Sequence, residues 1–278
     1  MIQPIPSSQP HESAPVFGLV IVGDEIMSGK RADKHLPKAI ELLTARGLAL
    51  AWARYVGDDP ARITADLKHA FESGDVVFSC GGIGATPDDH TRQCAAAALG
   101  RPLALHPQAR ELILERMRDT AKEQGIPYEP DRPDNVHRLN MGVFPEGAAI
   151  IPNPYNKIAG FTIGHVHFVP GFPVMAWPMI EWVLDTHYRD LHGQGAQREK
   201  SVIVYGAMEA TLTPLMERVE AEFAGVKVFS LPSVDHPEYG RHIELGVKGD
   251  VSKLDAAYRV LIDGLQGHGA KLGPELVR

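Results

Sequence analysis

Between residues 75 and 91 the chain reads DVVFSCGGIGATPDDHT, an apolar run followed by three glycines, two threonines and two adjacent aspartates. Gly81, Gly82 and Gly84 permit backbone conformations closed to other residues and let a ligand approach the main chain. Thr86 and Thr91 add hydroxyl donors. A helix opening after the loop would turn its N–H groups and positive dipole end toward the same space. These features suit an anionic group. Asp88 and Asp89 would repel such a group unless a divalent cation lies between, or unless they cap the helix; at least one is expected to cap. Mg²⁺ is typically held by one or two carboxylates plus substrate phosphates. Carboxylates also follow two earlier apolar runs, as Asp24 and Glu25 after Gly23 and as Asp58 and Asp59 after Gly57. Asp59, ahead of Pro60, suits a helix cap. Asp58, Gly23 and Asp24 are left to face a shared crevice.

Two familiar nucleotide fingerprints fail. GDEIMSGKR (23–31) has five residues between its glycines where a P-loop has four, and Arg31 stands where Ser or Thr would hold magnesium. GGIGAT lacks the third glycine of a dinucleotide loop. NPYNKIAGF (153–161) and PGFPVM (170–175) look like loops able to line a pocket, which brings in Asn153, Pro170 and Gly171. His165 and His167 in GHVHF are expected on the solvent face of one strand, two histidines being weak evidence for a metal. Trp177 and Trp182 are expected to pack.

The elements that must position these groups alternate. VFGLVIVG (16–23) has the near-continuous apolar character of a strand covered on both faces, LALAWARYV (48–56) reads as a second strand, and DVVFSC (75–80) as a third, buried one. Between them, one helix runs through Leu36, Ile40 and Leu43 to Gly47. Another starts at Asp59 and carries Ile63, Leu67, Ala70 and Phe71 on one face. Further helices are expected at TRQCAAAALG and about 107–123. This order predicts an α/β fold, a three-layer α/β/α arrangement with a mostly parallel sheet, whose ligands bind beyond the carboxyl ends of the strands. The glycine loop follows one such end. After a polar linker at 191–200, residues 201–278 predict a small α+β domain of order β-α-β-β-α with an antiparallel pair. Residues 1–14, rich in Pro and Ser, are expected to be a disordered tail.

Composition narrows the classes. Acidic residues outnumber basic ones 35 to 28, a net charge of −7, and no basic stripe fits nucleic acid. No apolar run is long enough for a membrane span, and the N-terminus lacks the pattern of a signal peptide. Two cysteines, Cys80 and Cys94, fit a reducing compartment and buried packing roles. A cytoplasmic protein with a small phosphate-bearing ligand is expected.

VGDEIMSG, YVGDD, GGIGATPDDHT, FPEGAAIIPNPYNKIAGF and VPGFP occur in the order and at about the spacing of the molybdopterin-binding (MoaB/Mog-like) domain family. Over roughly residues 15–190 the chain resembles that family, and within it the N-terminal part of the competence/damage-inducible CinA proteins. The resemblance implies molybdopterin or nucleotide binding with a divalent cation such as Mg²⁺ and implies a homo-oligomer; the residues themselves offer Asp88 and Asp89, with Asp58, to organise the cation. Acidic residues of adenylylating Mog-like members match Asp58 and Asp89, which are thereby the candidate catalytic pair. CinA-like members imply the alternative of a metal-dependent pyrophosphatase acting on ADP-ribose. The deamidase domain of full-length CinA is not expected here. Ala85 replaces the Pro usual in the loop, and Met175 stands where many CinA sequences carry an acid. The second departure favours a binding or interaction protein without turnover.

Overall fold

The computed structural model describes residues 16–193, 198–249 and 251–277. Strand β1 (Phe17–Val22) is buried along its whole length. Phe17, Leu19 and Ile21 enter one core, while Val20 and Val22 enter another, as the two-residue period of a strand covered on both faces requires. A short turn, α1 (Asp24–Met27), leads to α2 (His35–Thr44), β2 (Leu50–Val56), α3 (Pro60–Ser73) and β3 (Val76–Cys80). In α3, Asp59 accepts a hydrogen bond from Arg62 N at 2.8 Å, Pro60 opens the first turn, and Gly74 closes the helix at φ 75°. Its Ile63 and Leu67 are fully buried, each contributing about 1.5–3 kcal/mol by leaving water.

β2 pairs with one side of β1 and β3 with the other, both parallel. The path across the sheet therefore runs from β1 out to β2 and back past β1 to β3. Right-handed crossovers running in opposite directions place their helices on opposite faces, and α2 and α3 do pack into different cores. The carboxyl ends of β1 and β3 thus border the kind of switch-point crevice where open α/β sheets bind ligands.

The chain continues through α4 (Thr91–Leu99), β4 (Leu103–Leu105), α5 (Pro107–Gln124), α6 (Pro133–Arg138), β5 (Val143–Pro145), β6 (Ala149–Ile151), β7 (Gly160–Ile163), β8 (Val166–Val169) and α7 (Pro173–His187). The main sheet has the order β2-β1-β3-β8-β7-β6. β8 is parallel to β3, and β7 and β6 extend the sheet antiparallel. Helices α2 and α7 pack into the core on one face, and α3, α4 and α5 into the core on the other. This is the three-layer, mostly parallel α/β architecture. β4 and β5 form a separate antiparallel ladder.

The expected solvent face for His165 and His167 is wrong. His165 lies in the turn between β7 and β8, while His167 lies within β8 and is 0% exposed. β8 is covered on both faces, so His167 enters a core, where its Nδ1 meets Thr162 Oγ1 at 2.6 Å and its Nε2 meets Tyr188 Oη at 2.8 Å. Burial pushes its pKa down to about 3, with the charges of His187 and His165 acting the same way. Trp177 and Trp182, both in α7, pack against the core on that face.

The described residues after Gly193 form a second compact unit. Strands β9 (Arg198–Tyr205), β10 (Val226–His236), β11 (Gly240–Gly249) and β12 (Lys271–Val277) make an antiparallel sheet of order β10-β11-β9-β12. Its apolar face, through Val202, Val204, Leu245 and Val247, packs on α8 (Glu209–Glu222) and α9 (Val251–Gly267). β12 is an element the periodicity did not predict. Its KLGPELV contains Gly and Pro, tolerated because it is an edge strand with a register irregularity between Leu272 and Glu275. The tail expected at 1–14 lies outside the described residues, as do 194–197 of the expected linker. Among the described residues no helix is long and apolar enough to cross a membrane.

Candidate functional site

A cavity of about 730 Å³ opens at the carboxyl ends of β1, β3 and β8. Val22 and Gly23 reach it from β1, Asp58 from the turn after β2, and the whole of Gly81–Thr86 from the loop after β3. Gly81 adopts φ 107°, and a Cβ there would lie 2.3 Å from Val22 O. Only glycine lets these two strand ends come this close. On the far side, Gly81 N donates to Val169 O at 3.0 Å, and Gly171 approaches so that its own Cβ would lie 3.4 Å from Gly81 Cα. His35 Nε2 lies 3.0 Å from Gly171 O and ties this second loop to α2.

The loop's orientation is set by the first residues of α4. Thr91 Oγ1 donates to Gly81 O at 3.0 Å, Thr91 N donates to Gly82 O at 2.9 Å, and Arg92 Nη1 donates to Ile83 O. Three successive carbonyls are thus drawn toward the helix. The N–H groups of Gly82, Ile83, Gly84 and Ala85 have no protein acceptor among the described residues, in a segment that lines the cavity. A peptide ribbon with its N–H side free has the donors that an anion can accept from. At Gly82, φ is 69° and a Cβ would fall 2.1 Å from Thr91 Oγ1.

The two aspartates of the loop do not cap α4, contrary to expectation. The residue before the helix is His90, and no side chain caps it. Asp89 turns back instead, with Oδ2 accepting from Thr86 N at 2.8 Å and Thr86 Oγ1 at 2.6 Å. It folds over Gly84, where a Cβ would lie 2.5 Å from Asp89 Oδ2. Asp88 is exposed and lines the cavity beside it. Thr86 therefore holds Asp89, and its hydroxyl proton is already committed.

Other expected residues divide into those at the cavity and those behind it. Thr91 is fully buried and spends its hydroxyl on Gly81, so it shapes the loop and does not face a ligand. Asn153 touches the cavity but is 4% exposed. Its amide donates to Asn156 Oδ1 and Ile158 O, and its oxygen accepts from Tyr155 N. That loop includes Lys157 at φ 66°, whose ammonium pairs with Glu115 and Asp119 of α5 at 2.6 Å each. Pro170 and Gly171 lie on the wall as expected. Asp24 is linked reciprocally to Asp58: Asp24 N donates to Asp58 Oδ2 at 2.9 Å, and Asp58 N donates to Asp24 Oδ1 at 3.0 Å.

Burial pushes the Asp58 carboxyl above its ordinary range; the Asp24 N–H pulls it down, and the charges of Asp24, Glu25 and Asp88 push it further up. Negative charge is thus concentrated on one wall. Among the described residues, no three His, Cys, Asp or Glu side chains are close enough to hold a metal ion by themselves.

Sequence reasoning passed over several residues. Lys30 and Arg31, weighed only as parts of a failed P-loop, line the cavity. Met141, Ile158 and Phe172 give it an apolar wall. Arg92 lies behind the loop, and a charged residue one position after a buried threonine at the head of a helix was its only signal. Met175 lines the cavity and its sulfur accepts from Asn156 Nδ2 at 3.3 Å.

Residues 18–189 match the family model described as "Probable molybdopterin binding domain". A CinA-like protein of Syntrophotalea carbinolica is 30% identical over 220 residues, covering 74% of this chain and 50% of its own length. The chain therefore spans about half the length of that curated relative. A protein of Thermoplasma volcanium is 29% identical over 243 residues, 86% of this chain and 87% of its own. The crystal structure of the protein CinA, of unknown function, from Thermoplasma acidophilum matches with a TM-score of 0.51 and 25% identity over 61% of this chain and 96% of that one.

Proposed function

The chain belongs to the molybdopterin-binding (MoaB/Mog-like) domain family, and from that premise we propose that its cavity binds a phosphate-bearing pterin or nucleotide together with a divalent cation. The observation that carries this reading is the capture of the Gly81, Gly82 and Ile83 carbonyls by Thr91 and Arg92. It leaves the N–H groups of residues 82–85 for a phosphoryl group, which accepts several hydrogen bonds without needing net positive charge on the protein. The apolar wall of Met141, Ile158 and Phe172 suits a heterocyclic ring.

The donor chemistry fits a cation such as Mg²⁺. Asp58, Asp88 and Asp89 supply carboxylate oxygens at the cavity but no complete site of their own, and Mg²⁺ usually completes its shell with ligand phosphate and water. When bound, the cation would offset phosphate charge and polarise phosphorus. Asp58, Asp88 and Asp89 would hold it, and Thr86 would orient Asp89. Met175 favours binding without hydrolysis, since a thioether engaged with Asn156 can neither activate water nor bind a hard cation strongly.

The test is calorimetric titration of the full chain with ADP-ribose and with molybdopterin in Mg²⁺, alongside measurement of AMP release from ADP-ribose. Saturable binding of at least one ligand, weakened by Asp89→Asn and Asp58→Asn, is expected. No binding of either ligand refutes the reading. AMP release lost in the same variants would replace it with a pyrophosphatase.

A further inference from the structure

Arg92 occupies the first turn of α4 and is 4% exposed. Its Nη1 donates to Ile83 O, and it does not itself line the cavity. Burying a guanidinium is expensive unless its charge is matched. Holding a carbonyl does not require a charge, because the neighbouring Gly81 and Gly82 carbonyls are held by the neutral hydroxyl and N–H of Thr91. The carboxylate whose field reaches Arg92 is Asp89, already hydrogen-bonded by Thr86. Burial pulls the guanidinium below its ordinary range, with Asp89 acting the other way. The protein thus keeps a costly buried cation immediately behind a peptide ribbon whose N–H side is free.

Resting on the proposed ligand site, we propose that Arg92 is a positioning and specificity residue whose buried charge makes the Gly82–Ala85 ribbon demand an anionic group of its ligand. The grip on Ile83 O keeps the ribbon turned toward the cavity, and the charge behind it favours a phosphoryl group over a neutral group of similar size. Asp88 and Asp89, on the other side of the same loop, oppose an unaccompanied anion. A ligand phosphate therefore gains most when it arrives with its cation.

Arg92→Gln keeps a donor but loses the charge, and Arg92→Lys keeps the charge with a different donor. Affinity for ADP-ribose and for inorganic pyrophosphate is measured in Mg²⁺ on the full chain, with tryptophan fluorescence as the folding control. Arg92→Gln is expected to weaken both by at least about tenfold, the scale of a unit charge acting across several ångströms of partly buried protein, whereas Arg92→Lys stays within about threefold of the parent. Rescue by Lys and not by Gln is the readout that a merely structural role would not produce. Equal binding by all three proteins, or equal weakening in both variants, overturns the proposal while the ligand site stands. If the parent protein binds neither probe, this inference fails, while the ligand reading stands or falls with molybdopterin binding. Should Arg92→Gln not fold, Arg92→Lys decides: a loss beyond about threefold overturns the proposal.

Discussion

Gly82→Ala is the substitution that most directly tests the coupling between the glycine loop and α4. Two costs meet at this position. A side chain at φ 69° occupies the left-handed region, and its Cβ would sit 2.1 Å from Thr91 Oγ1. The first costs about 1–2 kcal/mol. The second forces Thr91 to turn away, breaking its bond to Gly81 O for about 1 kcal/mol, with about 1–3 kcal/mol of overpacking. Together these predict a loss of about 3–6 kcal/mol, or about 6–24 °C in Tm for a unit of this size. Gly100→Ala is the control, because it has φ 61° with nothing within 4 Å of its Cβ, and so carries the backbone cost alone. Trp52, Trp177 and Trp182 all precede Gly193, so tryptophan fluorescence during urea unfolding reports the first unit. Gly82→Ala should exceed the control by about 2 kcal/mol or more, and adding Thr91→Ala should then cost almost nothing. If the two glycine variants agree within about 0.5 kcal/mol, or if Gly82→Ala and Thr91→Ala simply add, the proposed coupling is wrong.

Two further outcomes follow from charge and burial. The Asp58 carboxyl is raised in the folded state, so its contribution to stability is present below its ordinary pKa and lost as pH rises through the raised value. Asp58→Asn should therefore raise Tm at pH 7, with the gain fading toward pH 3, in paired thermal melts; a lower Tm at pH 7 would contradict this. His167 is held neutral with its pKa near 3 against an ordinary 6.5. The unfolded chain binds the extra proton between those values, so stability falls by about 1.4 kcal/mol per pH unit below 6.5. In urea titrations from pH 7 to pH 4, His167→Gln should flatten that slope by about one proton, and an unchanged slope would show that His167 does not titrate on unfolding.

The first unit's layers were legible because β1 and β3 are compact apolar runs, and α3 carries its own start and stop in Asp59, Pro60 and Gly74. Element order alone predicted helices on both faces. What stayed hidden depends on neighbours. His167 alternates with His165 on paper, yet a turn at His165 and a second covering layer on β8 put one outside the strand and the other in a core. β12 lacked any apolar alternation, and its pairing with β9 comes from the sheet already formed, not from its own sequence.

The same distinction runs through the site. Glycines and adjacent carboxylates point to the proposed anion and cation because their chemistry is local. How those groups point is not local: whether Asp89 caps α4 or bends back to Thr86 depends on which carbonyls Thr91 and Arg92 reach from the helix. Once Thr91 takes Gly81 and Gly82, the helix's first donors face the loop and no longer need an aspartate. Asp89 is then released toward the cavity, in contact with Thr86 and Gly84. Removing the carbonyl capture should therefore disturb the proposed anion and cation binding together, although neither Thr91 nor Arg92 lines the cavity.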